Sequence, residues 1–384
     1  MMDLFAGCGG FSAGFASFRP AGVSGPVFES VAAVEVDSAA AATYKVNNPH
    51  TQVFEGAIAD YDPGAFAGTV DVVLGGLPHQ GFSSVRAVNV GDPRINLWRN
   101  YVSVVQKVQP KVFVLEHVDR FLHSTELIQL QATVAPGEAL EDYALTAIGI
   151  LNAADYGVHQ TRRRAIVIGT HRDLMPLAHP PTTHGKHASA VHGDLVTAAR
   201  PWETVRSIFE KSGHRGKVAE SVLPERTCAV LGTAMPGTFR TTELHISSAP
   251  ALLSEARYRA IPPGGSRHDL RGKWAIFDDR CTYLSTPSWD MRDNGPNDTM
   301  GRLHIDRPSG TIRSEFYRPE KGRSLHPFED RPITHYEAAL IQGFPDDYLW
   351  CGTRLSIGMQ IGNAVPVGFA RAIAGAVYEH LIHE

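Results

Sequence analysis

Cysteine is scarce in this chain of 384 residues, and the four that occur are Cys8, Cys228, Cys281 and Cys351. They form no CxxC pair, which argues against a structural zinc site and favours a reducing compartment, the cytoplasm. The sequence also lacks an apolar run of about 18 residues, the length that a membrane-spanning helix needs. No basic segment followed by an apolar core begins the chain, so we expect neither a signal peptide nor a membrane partner.

Strong net charge is absent as well, since the formal value is −4. Any binding of nucleic acid must therefore use a local basic face. Residues 200–273 contain 12 Lys or Arg and 7 Asp or Glu, a local excess of 5 positive charges. The length allows more than one domain, and no internal repeat or low-complexity tract occurs.

The first fifteen residues, MMDLFAGCGGFSAGF, contain a short apolar stretch, a turn with Gly7, Gly9 and Gly10, and a helix-like run. A strand, a Gly-rich turn and a helix in this order bring backbone N–H groups close to a nucleotide-like ligand. Glycine is needed where a Cβ would push the ligand away. An ordinary tight turn between strand and helix is the alternative interpretation.

A second strand is predicted over residues 31–37, VAAVEVD, followed by an Ala-rich helix over 38–46. An acid at the end of the second strand, after a Gly-rich first turn, is well placed to accept hydrogen bonds from ribose hydroxyls. Glu35 is the better candidate and Asp37 the second. The alternative is a solvated strand end.

Two further buried strands are predicted over 70–76 and 111–118, with a helix over 97–108 between them. The loop LPHQGFSS (77–84) leaves the carboxyl end of the first of these strands, where ligands sit in open α/β sheets. Glu116 follows an apolar run near the end of the second. Such an acid is usually a cap or a solvated end, and it becomes a catalytic candidate if the strand ends meet in one cleft.

Residues 147–169 are predicted to form two strands around a turn, with Gln160, Arg162, Arg163 and Arg164 at the turn. Alternation places Arg162 and Arg164 on one face. This face is either a solvated hairpin or a clamp for phosphate or carboxylate.

Regular patterns weaken between about 170 and 300 and return afterwards. We predict a strand over 307–316 and a helix over 334–344, with Thr334 and Glu337 forming a capping box. Residues 361–382 are predicted to begin as a loop and to continue as a long helix.

The order of motifs resembles the cytosine-C5 DNA methyltransferases, in their bacterial form. The matching stretches are DLFAGCGGF, the acid in VEVD, GGLPHQGFS, DPRINL, PKVFVLEHV, YGVHQTRRRAIVIG, RPSGTI, QGFPDDY and IGNAVP. The resemblance implies an α/β, Rossmann-like fold, with a mostly parallel sheet and helices on both faces. It implies a catalytic domain over 1–170, a smaller loop-rich target-recognition domain over 171–300, and a return segment over 301–384 that completes the first domain.

The resemblance also implies S-adenosylmethionine as the methyl donor, double-stranded DNA as the substrate, and no metal. A restriction enzyme or another partner protein is a further possibility that it raises. The residues expected to bind the donor are Phe5, Ala6, Gly7, Gly9, Gly10, Phe11, Glu35, Asn363 and Val365.

In the family chemistry a cysteine thiolate adds to C6 of a flipped cytosine, while a glutamate hydrogen-bonds or protonates N3. Glu116 matches that glutamate, and Arg162 and Arg164 match residues that hold the base. His79 stands at the position of the nucleophilic cysteine, because the expected PPCQ motif is here LPHQ.

Other positions also depart from the family pattern: Leu77 replaces a proline, and His117 replaces an asparagine. Ala57 replaces an acid that contacts adenine, for which Asp60 is a possible substitute. These departures leave two main hypotheses open: a DNA cytosine-C5 methyltransferase with an altered nucleophile, and an inactive pseudo-methyltransferase that binds DNA or a partner protein. Methylation of RNA or of a free base-like substrate is a third, less favoured alternative.

Overall fold

The computed structural model describes residues 1–78, 97–186, 199–215, 218–220, 222–247, 249–277, 279–291 and 298–383. Its helices are α1 (Gly10–Ser17), α2 (Ser38–Asn47), α3 (Leu97–Val108), α4 (Thr125–Ala132), α5 (Arg206–Gly213), α6 (Leu252–Ala260), α7 (Pro287–Asp290), α8 (His335–Ile341), α9 (Arg354–Asn363) and α10 (Val367–Ile382). Its strands are β1 (Met2–Leu4), β2 (Ala32–Glu35), β3 (Gln52–Glu55), β4 (Val72–Gly76), β5 (Val112–Val118), β6 (Tyr143–Asn152), β7 (Arg163–His171), β8 (His184–Gly185), β9 (Arg200–Pro201), β10 (Ala219–Glu220), β11 (Thr227–Cys228), β12 (Met235–Arg240), β13 (Ile246–Ser247), β14 (Trp274–Phe277), β15 (Arg280–Tyr283), β16 (Gly301–Arg302), β17 (Arg323–Leu325) and β18 (Leu349–Cys351).

Seven strands form the central sheet in the order β3-β2-β1-β4-β5-β7-β6. Strands β3, β2, β1, β4 and β5 are parallel, and β7 runs antiparallel to both β5 and β6. The mostly parallel sheet expected from the sequence is confirmed. Because β1, β4 and β5 are neighbours, their carboxyl ends lie side by side at one edge, where ligands bind in open α/β sheets.

Helices cover both faces of the sheet. Successive side chains of a strand point to opposite faces, and apolar side chains on both faces have to be shielded from water. On one face, Val73 and Phe113 pack with Tyr101 of α3. On the other, Val72 packs with Phe15 of α1 and with α10. The last helix of the chain therefore shares a core with the first one.

A third apolar cluster joins the middle of the chain to the return segment. Phe209 and Phe239 pack there with Ile341, Trp350 and Ile361. A separate, smaller cluster is formed by Tyr258, Ile261, Leu270, Leu284, Met300 and Leu325. Within the described residues, no helix is both long and apolar enough to cross a membrane.

The prediction of a strand over 307–316 is wrong, because within the described part of the chain this segment forms one isolated bridge, between Ser309 and Gln160. Pro308 has no N–H to donate. Further along, side chains take the place of strand partners: Gln160 Oε1 accepts from the N–H of Ile312 at 3.1 Å, and Arg162 donates to the carbonyl of Ile312 at 3.2 Å. The capping box predicted at Thr334 and Glu337 is confirmed at the start of α8.

The contact between α1 and α10 predicts a strong effect of Gly14→Ala. A Cβ on Gly14 would lie 2.3 Å from the Cβ of Ala370 and 2.7 Å from the carbonyl oxygen of Val367. We expect the substitution to destabilise the fold by about 1–3 kcal/mol, seen as a lower midpoint of urea unfolding. Gly213→Ala is the matched control, since a Cβ there meets nothing within 4 Å. Equal midpoints for the two variants would contradict this packing.

Candidate active site

The turn after β1, residues 5–10, holds an unusual backbone. Phe5 has a φ of 56°, Gly7 a φ of 55° and Gly9 a φ of 90°. For Phe5 this left-handed conformation is strained, and such strain is found where a site requires a fixed geometry. A Cβ on Gly7 would meet nothing within 4 Å, so open space borders the turn. A turn of this kind, followed by the free N–H groups at the start of a helix, is the arrangement in which proteins often bind anionic groups.

Residues from the far end of the chain lie against this turn on one side. A Cβ on Gly10 would lie 2.4 Å from the carbonyl oxygen of Val365, so the loop after α9 touches the start of α1. Val365 is buried, while the side chain of Asn363 is exposed. Only glycine at position 10 allows this approach.

Glu35, rather than Asp37, faces the turn. The two carboxylate oxygens of Glu35 accept from the N–H of Gly7 and from the N–H of Asp37, each at 2.8 Å. Burial raises the pKa of Glu35, and the hydrogen bonds from Asp37 and Gly7 oppose this effect. Asp37 instead caps α2, accepting from the N–H of Ala40 at 2.9 Å.

Glu116 lies where β4, β5 and the Val365 loop meet. Its Oε1 is 2.8 Å from Nε of Arg164, and both side chains are buried. A Cβ on Gly76 would be 3.6 Å from Glu116 Oε2 and 3.9 Å from Val365 Cγ2. The carboxyl ends of β4 and β5 therefore lie close to the Val365 loop.

Arg162 is buried beside this pair and binds backbone rather than carboxylate. Its guanidinium donates to the carbonyls of Ile312, Gly362 and Asn363 at 3.2, 3.0 and 3.4 Å. Burial, and secondly the charge of Arg164, lower the pKa of Arg162 to about 9. Arg162 thus ties the hairpin of β6 and β7 to the return segment.

The remaining family positions are less central. His79 lies outside the described residues. The ring of His117 stacks on Phe121, with 4.9 Å between centroids, and its Nδ1 accepts from the N–H of Val118 at 2.7 Å. Ala57 and Asp60 are both exposed beside β3.

A family model described as C-5 cytosine-specific DNA methylase matches residues 1–379. The chain belongs to this family. It is 30% identical over 402 residues to the type II methyltransferase M.DdeI of Desulfomicrobium norvegicum, covering 97% of this chain and 87% of the relative. M.XorII of Xanthomonas oryzae is 29% identical over 397 residues, covering 99% of this chain and 84% of the relative.

The fold of this methylase-family chain also matches solved structures. A prophage-encoded Escherichia coli protein, described as a DNA modification methyltransferase, superposes with a TM-score of 0.65 at 20% identity, covering 99% of each chain. The Dnmt2 methyltransferase of S. pombe superposes with a TM-score of 0.53 at 13% identity, covering 99% of this chain and 98% of the other. At such low identity these likenesses show the fold alone.

Behind the turn of this methylase-family chain lies a buried polar network that was not predicted from the sequence. Ser12 donates to Asp3 Oδ2 at 2.6 Å and bonds the hydroxyl of Tyr44 at 2.7 Å, and Ser30 bonds the same hydroxyl. Burial raises the pKa of Asp3 to about 7, although the hydrogen bond from Ser12 lowers it. An acid inside a buried central strand was the signal that could have revealed this network.

Asp3 predicts a specific dependence of stability on pH. The folded carboxyl holds its proton up to about pH 7, whereas the unfolded chain releases it near pH 4. Between these values the unfolded state binds fewer protons, so the contribution of Asp3 to stability falls as the pH rises and is constant above about pH 7.

We therefore compare the free energy of unfolding of Asp3→Asn with that of wild type at two pH values. The difference, variant minus wild type, should be larger at about pH 8 than at about pH 5.5 by more than about 1 kcal/mol. Ser12→Ala is the control, because it keeps the carboxyl of Asp3 and removes a hydrogen bond that lowers the pKa of this group. The contribution of Asp3 to its stability should still fall as the pH rises, and the fall should continue to a higher pH than in wild type. Urea unfolding at the two pH values measures both. A constant difference between Asp3→Asn and wild type would contradict the buried protonated carboxyl.

Proposed function

We propose that this chain binds S-adenosylmethionine and DNA, and transfers a methyl group to C5 of a cytosine flipped out of the duplex. The observation that carries the proposal is the convergence of the Gly-rich turn, Gly76, Glu116 and Val365 at one edge of the sheet. These residues are far apart in sequence. Membership of the C-5 cytosine-specific DNA methylase family supports methyl transfer to cytosine as the reaction at this edge.

S-adenosylmethionine, when bound, supplies an electrophilic methyl group. The open space beside Gly7 and the N–H groups that begin α1 suit its carboxylate, and the carboxylate of Glu35 suits its ribose hydroxyls. Phe5, Ala6 and Phe11 would line the same pocket, with Val365 and Asn363 on its far side. Ala57 offers no carboxylate to adenine, so we expect that end of the donor to be held less firmly.

Glu116 would act on the flipped base. A carboxyl between cytosine N3 and Arg164 can share a proton with N3, which makes C6 more open to a nucleophile. The lone pair of the nucleophile would form a bond to C6, which places the electron pair of the C5–C6 double bond at C5. That pair would bond to the methyl carbon of the donor as the bond between this carbon and sulfur breaks, and the electron pair of the broken bond would stay on sulfur, giving S-adenosylhomocysteine. Removal of the C5 proton restores the double bond and expels the nucleophile with its electron pair.

A second function, DNA binding or partner binding without turnover, is favoured by one observation: the nucleophile position holds His79. Imidazole is bulkier than a thiolate and is not the nucleophile of the family reaction. Loss of a covalent nucleophile raises the barrier by roughly 5–8 kcal/mol. A protein of this kind would retain strongly salt-dependent binding of duplex DNA.

Methyl transfer from labelled donor to unmethylated genomic DNA separates these functions. We expect His79→Cys to raise the rate at least about 100-fold over wild type, because a thiolate restores attack at C6. Adding Glu116→Gln to that variant should remove most of the gain, since the amide cannot give a proton to N3. If wild type binds donor and DNA but transfers no methyl group, the non-catalytic function is supported instead, even where His79→Cys is active.

The donor site itself is tested by calorimetric titration of S-adenosylmethionine. We expect micromolar binding to wild type, and about ten- to a hundredfold weaker binding to Glu35→Gln, which loses the charge that faces the turn. Asp37→Asn is the matched control, because asparagine also caps helices and Asp37 points toward Ala40. Absence of binding to wild type at millimolar donor would contradict the proposed site.

A further inference from the structure

We propose that Tyr348 is a positioning residue for the donor turn, and that it couples the middle of the chain to binding of the methyl donor. This inference rests on the proposed function. The hydroxyl of Tyr348 donates to the carbonyl of Cys8, in the centre of the turn. Its oxygen also lies 3.0 Å from where a Cβ on Gly9 would stand, so it touches the turn at two adjacent residues.

The hydrogen bond from Tyr348 fixes a peptide plane in the turn where we propose that the donor binds. The carbonyl of Cys8 belongs to the same peptide as the N–H of Gly9, which donates to the carbonyl of Ala6 at 2.9 Å. The side chain of Cys8 is buried, and its Sγ donates weakly to the carbonyl of Gln360 at 3.5 Å. If the hydroxyl is removed, a buried carbonyl loses its partner and the turn is free to reorient.

Tyr348 is itself held firmly. Its ring packs against Phe344 and Trp350, with centroids 4.8 and 5.2 Å away. The next residue, Leu349, exchanges two hydrogen bonds with the side chain of Asn47 on α2, at 3.0 and 2.8 Å. A hydroxyl mounted on such a rigid ring can define the position of the carbonyl that it binds.

The middle of the chain contacts the backbone of Tyr348 directly. Thr241 donates to the carbonyl of Tyr348 through both its N–H, at 2.9 Å, and its hydroxyl, at 3.2 Å. Strand β12 pairs with β18, so that Phe239 lies opposite Trp350. The segment expected to contact DNA is thus linked to the turn through Tyr348. Coupling of this kind is reciprocal, so donor and DNA would change the affinity of each other by one factor.

Tyr348→Phe tests the inference, with Tyr336→Phe as the matched control. Both tyrosines lie in the return segment, but the hydroxyl of Tyr336 accepts from Arg215 and donates to Asp346, away from the turn. By calorimetry, we expect Tyr348→Phe to weaken S-adenosylmethionine binding about tenfold. Binding of DNA alone should change less than about twofold, while the factor by which donor strengthens DNA binding should shrink. Tyr336→Phe should match wild type in all three.

Amide hydrogen exchange of residues 7–10 without donor provides an independent measurement. We expect exchange in the turn to be at least about tenfold faster in Tyr348→Phe than in Tyr336→Phe. The positioning role is overturned if exchange in the turn is the same in Tyr348→Phe and Tyr336→Phe. It is also overturned if wild type binds the donor and Tyr348→Phe binds it equally well. If wild type binds no donor while exchange in the turn still accelerates, the proposed function fails and the structural link from Tyr348 to the turn stands.

Discussion

Close packing of the first helix against the last is the contact on which the site depends. Gly10 and Gly14 of α1 have no side chains, and the backbone near Val365 and the side chain of Ala370 fill the space that any Cβ would need. This contact brings the return segment to the same edge of the sheet as the Gly-rich turn. The proposed donor pocket takes residues from both ends of the chain, so it would form only after the return segment packs against the first helix.

The charges at the site follow a second constraint, which is burial. Glu116 and Arg164 form an ion pair in the interior, and Arg162 lies beside them with its guanidinium held by backbone carbonyls. A buried pair of this kind contributes little net stability, because loss of hydration offsets the attraction. The arrangement instead keeps the carboxyl group of Glu116 in place at the strand ends.

Local patterns in the sequence predicted much of this fold: the β2 acid, the helix after it, and the capping box of Thr334. The strand predicted over 307–316 was wrong because Gln160 and Arg162 satisfy backbone groups that a strand partner would otherwise bond. The contact from Tyr348 to Cys8 could not be predicted, since it joins residues 340 positions apart and depends on how the return segment folds back. Asp3 was missed although an acid in a buried strand was visible.

A crystal structure with S-adenosylhomocysteine would show directly whether the two ends of the chain form one donor site. We expect the ligand to lie in the open space beside Gly7, with its ribose on Glu35 and with Val365 on its other side. A ligand bound elsewhere, or a pocket without any contact to the return segment, would contradict this expectation.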